Sequence, residues 1–417
     1  MNDFRKGLAL NEWRKQVIFI SMIAMLTGLL FSRALLSSGL IVFAILCFIH
    51  KDIFAQLKNF FSSPFLWAMS LLFLLPLISG LWSEDISKWL QIIQIKVPFL
   101  LLPVCFAGIN QFKFKDWEKI AFIFLILITG GVCWSLWQYF RDTNSIQVAY
   151  LKAQTITTPL GNDHVRFSLL VAIAVLTAIF LLIKNKKRFK KGIIFFLSTV
   201  ATILIIYLHV LAVRTGLLCF YIGSVVFFAW LLRNHRYKKV YVLLLILLLS
   251  LPVISYFTLP TFKNRIRYLK YDLSYIKKDV YLQGSNDGNR FISIKAGWQL
   301  QNQNPLTGVG FGDIKKETDK FYGRNYPQMK ETDKILPSSE WIIYGAATGW
   351  PGFILFSFIM LVPFFIKKLK NNICWWLINI FVALSYLFDI GLEVQYGVFG
   401  HAFILLWWYK WLQGQEQ

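Results

Sequence analysis

Three arginines in this sequence lie close to long apolar runs, where a charged side chain is costly. Arg214 separates two apolar runs, Arg290 begins a helical pattern in a polar stretch, and Arg166 follows His164. A guanidinium group stays charged at any relevant pH, and its planar fork of N–H donors fits the oxygens of a pyrophosphate. We therefore interpret Arg214 and Arg290 as anion-binding residues and Arg166 as a third candidate. The alternative for each is a solvated or snorkelling side chain.

A glycine-rich turn follows Arg290 at residues 304–313, with Trp298 in between. Gly308 and Gly310 would let the backbone approach a ligand closely, because glycine has no Cβ. No strand precedes the turn, so it is not a dinucleotide fingerprint. We predict that Trp298 and the two glycines contribute to substrate binding. The alternative is a purely structural turn.

These residues belong to a chain with the composition of a membrane protein. It is 57% hydrophobic with a mean hydropathy of +0.55, and residues 240–256 carry no charge across most of a bilayer's thickness. A net charge of +23 would suggest nucleic acid in a soluble domain. Here many Lys and Arg residues cluster in short connections between apolar runs, as the positive-inside rule expects. We therefore predict an all-α polytopic membrane protein that contacts membrane lipid and no nucleic acid.

Windows of apolar residues predict about twelve transmembrane helices. They lie near residues 17–31, 34–50, 66–82, 97–112, 120–139, 167–183, 193–212, 215–232, 240–257, 341–366, 373–391 and 397–413. The N-terminus carries Arg5, Lys6, Arg14 and Lys15, and no clear cleavage site follows, so we expect a retained first span that starts in the cytoplasm. The most basic short connections then all fall on the cytoplasmic side.

The predicted chain has three parts. Residues 1–257 hold spans one to nine, residues 258–340 form a large extracytoplasmic loop, and residues 341–417 hold the last three spans. The loop is basic, which the positive-inside rule tolerates because long loops cross the membrane largely regardless of charge. A basic loop outside suits a polyanionic substrate. The alternative is that its basic side chains solvate loop helices or meet lipid headgroups.

Several of these segments resemble the O-antigen ligase and polymerase family. The resemblance rests on residues 77–85, 214–216, Arg290, Trp298, Pro305, the following glycines, and the end of the loop. There the ligases have a His followed by Asn, Ser or Gln, then nine residues, Gly, two residues and Gly. This sequence keeps the spacing through Gly349 and Gly352, but Ser338 replaces the His. In the family that His is thought to activate the acceptor hydroxyl, so another base must be sought.

We predict that Glu340 is the general base, because partial burial near the membrane surface shifts a carboxyl group toward the working range of a base. The alternative is an acid in the first turn of a helix, where it interacts favourably with the helix dipole. His164 and His209 are further candidates for the substrate site on the outer side. Glu393 lies in a polar cluster near the end of the eleventh span, and either helix pairing or substrate binding would explain it.

The resemblance implies a GT-C-like, inverting glycosyltransferase of the bacterial cytoplasmic (inner) membrane. It implies that a glycan moves from a polyprenyl-pyrophosphate donor, such as undecaprenyl pyrophosphate, to a glycan or glycolipid acceptor of a surface polysaccharide. No metal and no cofactor are expected. Arg214 and Arg290 would hold the pyrophosphate and stabilise the charge of the leaving group. The alternative is a transporter or flippase of a lipid-linked or anionic substrate, although no matching halves with Gly/Pro-broken spans are found.

The one-sided basic connections generate a topology prediction. A compartment-sensitive reporter fused near Lys187 should read cytoplasmic, and one fused near Lys316 should read external. Fusions at both positions in the same strain provide the measurement. An external signal at Lys187 would contradict the arrangement of twelve spans.

Overall fold

The computed structural model describes residues 2–49, 52–152, 154–185, 188–234, 237–277 and 280–414, with the side chains of residues 2–11 and 234 left out. Lys187 and the side chains of Arg5 and Lys6 therefore lie outside the described parts. Within those parts the chain is almost entirely helical and has no β-strand. The first ten helices are α1 (Asn2–Phe31), α2 (Arg33–Phe48), α3 (Ile53–Ser62), α4 (Pro64–Ser79), α5 (Ile86–Lys96), α6 (Pro98–Ala107), α7 (Phe114–Arg141), α8 (Thr143–Tyr150), α9 (Pro159–Asn162) and α10 (His164–Asn185). The remaining helices are α11 (Lys191–Leu211), α12 (Arg214–Asn234), α13 (Lys238–Thr258), α14 (Pro260–Ile276), α15 (Asn286–Gln303), α16 (Ile314–Asn325), α17 (Glu340–Leu361), α18 (Ile373–Phe388) and α19 (Gln395–Gln413).

The helices confirm an all-α, multi-pass membrane protein. In the described ranges eight spans are long and apolar enough to cross a membrane, and one of these consists of α5 and α6 together. The count is nine if α2 and α3, bent by 109°, also form one span. Each of the twelve predicted windows falls on a helix, but α4 and α18 have only 16 residues each. The predicted count of twelve spans is therefore not confirmed. The segment between the third and fourth predicted windows, residues 83–96, is also helical from Ile86 onward. There α5 continues into α6 as one span, Ile86–Ala107.

Helix α19 lies in the core of the bundle, since most of its side chains are buried. Its Trp407, Trp408 and Trp411 are fully buried and contact one another. The helix packs against α6, α7 and α18. In contrast, only 6% of the span formed by α13 is buried inside the protein. Helix α19 is thus surrounded by protein, whereas most of the apolar surface of α13 is left free to contact lipid.

The long loop (residues 259–339) is folded into helices α14, α15 and α16. It has a small core of its own, made of Ile292, Ala296, Phe321, Tyr322 and Met329. The loop packs back on the membrane helices chiefly through α15, which lies along α17. The loop is therefore a structured cap over the helical bundle.

The start of α15 is fixed by α14. Ser285 caps the helix by accepting a hydrogen bond from Gly288 N at 2.8 Å. The Tyr268 hydroxyl of α14 accepts from Asn286 N at 3.0 Å, and an Asp272 carboxylate oxygen accepts from the next backbone N–H at 2.9 Å. These bonds satisfy N–H groups that a helix start leaves without partners. They set the position of the first two turns of α15.

A break in α17 joins the loop to the bundle. Gly349 has φ of 69°, so the helix is interrupted there. The carbonyl oxygens of Ala346 and Ala347 accept hydrogen bonds from Val309 N and Gly310 N, each at 2.9 Å. Backbone groups freed by the break are therefore satisfied by the glycine-rich turn.

The turn itself needs its glycines for this contact. Gly308 has φ of 65°, and a Cβ placed there would lie 2.3 Å from the carbonyl carbon of Ala347. Gly310 has φ of 85°, and its Cβ would lie 2.3 Å from Ser83 Oγ. Both glycines thus approach protein rather than a ligand in this structure. Their predicted role in substrate binding stays untested, and their position favours a structural role.

Replacing Gly308 by alanine should destabilise the protein by about 1–3 kcal/mol, because the side chain would meet backbone in a left-handed conformation. Gly323→Ala is the matched control in the same loop, since Gly323 is helical and exposed and its Cβ would meet nothing within 4 Å. That change should be neutral or slightly stabilising. Thermal unfolding of the purified proteins in detergent compares the two. Equal shifts of the unfolding midpoint would contradict the docking role of the turn.

Candidate functional site

A cavity of about 710 Å³ lies between the long loop and helices α10, α12 and α13. Among the described residues its wall contains the guanidinium groups of Arg214, Arg265 and Arg290, one carboxylate, Asp287, and one imidazole, His164. Much of the remaining wall is apolar. The cavity therefore combines an excess of positive charge with an apolar surface at the edge of the membrane helices.

Arg214 begins α12 directly after a tight turn. The turn is made by Ala212, which ends α11 in a left-handed conformation with φ of 50°. The Thr261 hydroxyl of α14 donates to the carbonyl of Val210, near the end of α11, at 2.7 Å. This bond satisfies a carbonyl that the end of α11 leaves free, and it ties the turn to the helix that carries Arg265. The bond therefore links the elements that carry two cavity arginines, Arg214 on α12 and Arg265 on α14.

The guanidinium of Arg214 forms a forked ion pair with Asp287. Its Nη1 donates to Oδ2 at 2.7 Å, and its Nη2 donates to Oδ1. The Asp287 side chain is only 12% exposed, whereas that of Arg214 is 42% exposed. The carboxylate thus offers the fork two oxygens, as a phosphate group would.

Arg265 is the cavity arginine that no sequence motif singles out. It is 7% exposed, and its Nη1 has no hydrogen-bond partner among the described residues. Burial, together with the positive charge of Arg214, lowers the pKa of its guanidinium below the ordinary value. A buried cation with an unused donor is unfavourable unless an anion completes it.

The sequence does contain one signal for Arg265. The buried residues Thr261, Arg265, Tyr268 and Asp272 of α14 are spaced by four, three and four positions. That spacing places them on one face of a helix. An arginine on the buried face of an amphipathic loop helix is unusual, and this would have marked it.

Arg290 lies one turn beyond Asp287 on α15 and also lines the cavity. Its Nη1 donates to the carbonyl of Phe388, the last residue of α18, at 2.7 Å. The next turn carries Ser293, whose Oγ lies 3.1 Å from Ser338 N and 3.2 Å from Ser338 Oγ. Ser338 itself is part of the cavity wall. The position that carries the His in the ligases therefore faces this cavity, and here it holds a serine bound to α15.

Arg166 lies outside the wall of this cavity. Its Nη2 donates to the carbonyl of Ile390 at 2.9 Å and lies 3.4 Å from a carboxylate oxygen of Asp389. Its Nη1 pairs with Asp163. Arg166, which lies on α10, is thus bound to the connection between α18 and α19 (residues 389–394). That connection is not α-helical. Its predicted contact with an anionic substrate stays untested, and the structure supplies it with carboxylate partners instead.

Glu340 and Glu393 bind the same connection. Glu340 is fully buried, and its Oε1 accepts a hydrogen bond from Leu392 N. The amine of Lys96 donates to Leu392 O at 3.0 Å and pairs with Glu393 at 2.6 Å. Neither carboxylate lines the large cavity. The prediction of Glu340 as the general base depends on partial burial at the membrane surface, but the side chain is fully buried. That catalytic role stays a prediction, and the position of Glu340 favours a structural role.

His209 and Trp298 also lie away from the wall. The ring nitrogens of His209 bind the carbonyl of Ile205 at 2.8 Å and the hydroxyl of Tyr221, which does face the cavity. Trp298 is 45% exposed and packs edge-on against Trp350, with ring centroids 5.5 Å apart. Of the residues predicted to bind substrate, the cavity thus gathers two arginines and His164. The roles of the others stay predictions.

Fold and site define a multi-pass helical membrane protein with a cationic cavity under a structured loop. Residues 200–357 match the family model for O-antigen ligases. The match confirms the resemblance to the O-antigen ligase and polymerase family over this part of the chain, which includes every cavity arginine. It supports an enzyme of the membrane glycosyltransferase type. No curated protein matches the chain.

Removing one side of the buried pair between Lys96 and Glu393 should destabilise the fold strongly. Lys96→Met leaves the Glu393 carboxylate buried without its cation, and we expect a loss of about 3–5 kcal/mol. The double variant Lys96→Met/Glu393→Leu removes both charges and should recover much of that loss. Thermal unfolding in detergent measures both. A double variant as unstable as the single one would contradict mutual charge compensation.

Proposed function

We propose that this protein is a glycosyltransferase that moves a glycan from a polyprenyl-pyrophosphate donor to a hydroxyl of a glycan or glycolipid acceptor. The observation that carries the proposal is the convergence of Arg214, Arg265 and Arg290 on one cavity, within the part of the chain that matches the O-antigen ligase family. The buried, unused donor of Arg265 indicates that this cavity is completed by an anion.

The charge of the cavity suits a pyrophosphate. Three guanidinium groups against one carboxylate leave an excess of positive charge in the wall. A pyrophosphate that links a sugar to a lipid carries about two negative charges and several acceptor oxygens, which forked N–H donors bind well. A neutral glycan alone would give these cations no counterion.

The apolar part of the wall suits the lipid part of the donor. This part of the wall includes Leu217 and Leu218 of α12, Pro252 of α13, and Leu273 and Ile276 of α14. A polyprenyl chain that leaves the pyrophosphate would contact these side chains before it reaches the lipid around α13. Hydrophobic contact and anion binding then hold opposite ends of one amphipathic substrate.

The arginines would act mainly on the leaving group. When the acceptor hydroxyl attacks the anomeric carbon, negative charge grows on the departing polyprenyl pyrophosphate. Preorganised guanidinium groups stabilise that charge without reorganising during the reaction. Arg290 is preorganised by its bond to Phe388 O, at 2.7 Å. We place the reaction on the outer face of the bacterial cytoplasmic membrane, with undecaprenyl pyrophosphate as the carrier and a cell-envelope polysaccharide as the product.

Arg214→Lys, Arg290→Lys and Arg265→Gln should each reduce glycan transfer by about 100-fold or more, since each loses a fork or a charge that stabilises the leaving group. Arg267→Gln is the matched control, because Arg267 is exposed on the same helix as Arg265 and does not line the cavity. Transfer is measured with purified protein and a polyprenyl-pyrophosphate-linked glycan. Full activity in both lysine variants would reject forked recognition of the pyrophosphate.

The glycan phenotype of a deletion strain identifies the acceptor. Polymer left on its lipid carrier indicates a ligase, and single repeat units indicate a polymerase. Lipid-linked units retained on the cytoplasmic face would instead indicate a transporter or flippase.

A further inference from the structure

The reaction needs a group that takes the proton of the acceptor hydroxyl, and Ser338 cannot do this alone. Among the described residues of the cavity wall, the side chains of the types used as general bases are His164 and Asp287. Glu340 is fully buried and does not line this wall. The choice therefore lies between an imidazole and a carboxylate.

Asp287 differs from His164 in its partner. The Asp287 carboxylate occupies both Nη groups of Arg214, and its backbone N–H donates to Asp272 at 2.9 Å. The carboxylate is thus held at the cavity by the cap of α15 and by one arginine. The imidazole of His164 bonds instead to the backbone of Asn162, a partner that a pyrophosphate would not take away.

One guanidinium fork cannot bind a carboxylate and a pyrophosphate through the same two donors. We propose that Asp287 is the general base of glycan transfer and that the donor activates it by taking Arg214 away from it. The inference rests on the proposed function, because it takes the pyrophosphate of the donor as the competing anion. In the free protein both carboxylate oxygens of Asp287 accept hydrogen bonds from Arg214, so the pair holds them away from an acceptor hydroxyl.

Electrostatics gives the direction of the switch. A carboxylate that loses a cationic partner and gains an anionic neighbour holds a proton more tightly. Donor binding makes both changes at Asp287 at once. The carboxylate becomes a stronger base only when a sugar donor is in place, so the acceptor hydroxyl is activated only in the complete complex.

The acceptor oxygen forms a bond to the anomeric carbon, and its proton passes to a carboxylate oxygen of Asp287. The bond between the anomeric carbon and the pyrophosphate oxygen breaks, and its electron pair stays on the leaving pyrophosphate, where the arginines bind the charge. After the pyrophosphate leaves, Asp287 releases the proton to solvent and pairs with Arg214 again.

The test separates binding from turnover in Asp287→Asn. Binding of farnesyl pyrophosphate, a short soluble probe, should stay equal or become tighter by up to about tenfold, because the competing charge is gone. Glycan transfer should fall by about 100-fold to 10,000-fold, because the base is gone. Asp319→Asn is the control, since Asp319 is a carboxylate of α16 in the same loop that pairs with Lys315 and does not line the cavity. It should change neither quantity.

Each other outcome overturns the inference. Weaker binding together with weaker transfer would mean that Asp287 only positions Arg214. Unchanged or faster transfer would mean that it is no base, and loss in His164→Gln with retention in Asp287→Asn would assign the base to His164. Asp287→Glu keeps the carboxylate and should retain measurable transfer, so a folded Glu variant as inactive as the Asn variant also contradicts the role. If the Asn variant does not fold, Asp287→Ser replaces it with the same expected outcomes.

The proposed function can fail separately. A wild-type protein that binds farnesyl pyrophosphate but transfers no glycan overturns the proposed function and the base with it. Wild-type transfer with full transfer by Asp287→Asn overturns the base alone.

Discussion

Backbone N–H and C=O groups that leave a helix inside a membrane protein must find partners in the protein, because lipid offers none. This requirement accounts for most of the polar chemistry in the structure. At the break in α17 the partners come from a glycine-rich turn of the long loop. At the α18–α19 connection they are charged side chains: the carbonyls of residues 388, 390 and 392 accept from Arg290, Arg166 and Lys96, and a backbone N–H donates to Glu340. Several residues that suggest catalysis by type therefore serve the backbone.

Arg290 joins this network to the cavity. One of its donors is committed to the end of α18, while its guanidinium still lines the wall beside Asp287. The position of the proposed anion-binding group Arg290 is thus set by a connection that is in turn bound by Lys96, deep in the bundle. A site built in this way is rigid where it must hold charge, which is the arrangement that electrostatic catalysis requires.

The sequence predicts the parts of this structure that depend on local pattern. Apolar windows locate the helices, and Arg214 and Arg290, which we interpret as anion-binding residues from the sequence, line one cavity. The sequence does not predict hydrogen bonds and ion pairs between residues that are far apart along the chain. Glu340 at the start of α17 fits a base or a structural acid equally well until its bond to Leu392, 52 residues away, is known. The count of twelve spans stays unconfirmed for a related reason, since α4 and α18 are short and α2 and α3 form a bent pair.

The exposure of α13 has a consequence for the membrane in which the protein works. Only 6% of its span is buried in protein, and a single residue, Leu259, separates it from α14. A helix that is surrounded mainly by lipid adjusts its tilt to match its apolar length to the hydrocarbon thickness. A change in that tilt moves the first turn of α14 and, with it, Arg265. The thickness of the bilayer would then bear on the distance between the cations of the cavity, and lipid composition would be a geometric variable for this protein as well as a solvent.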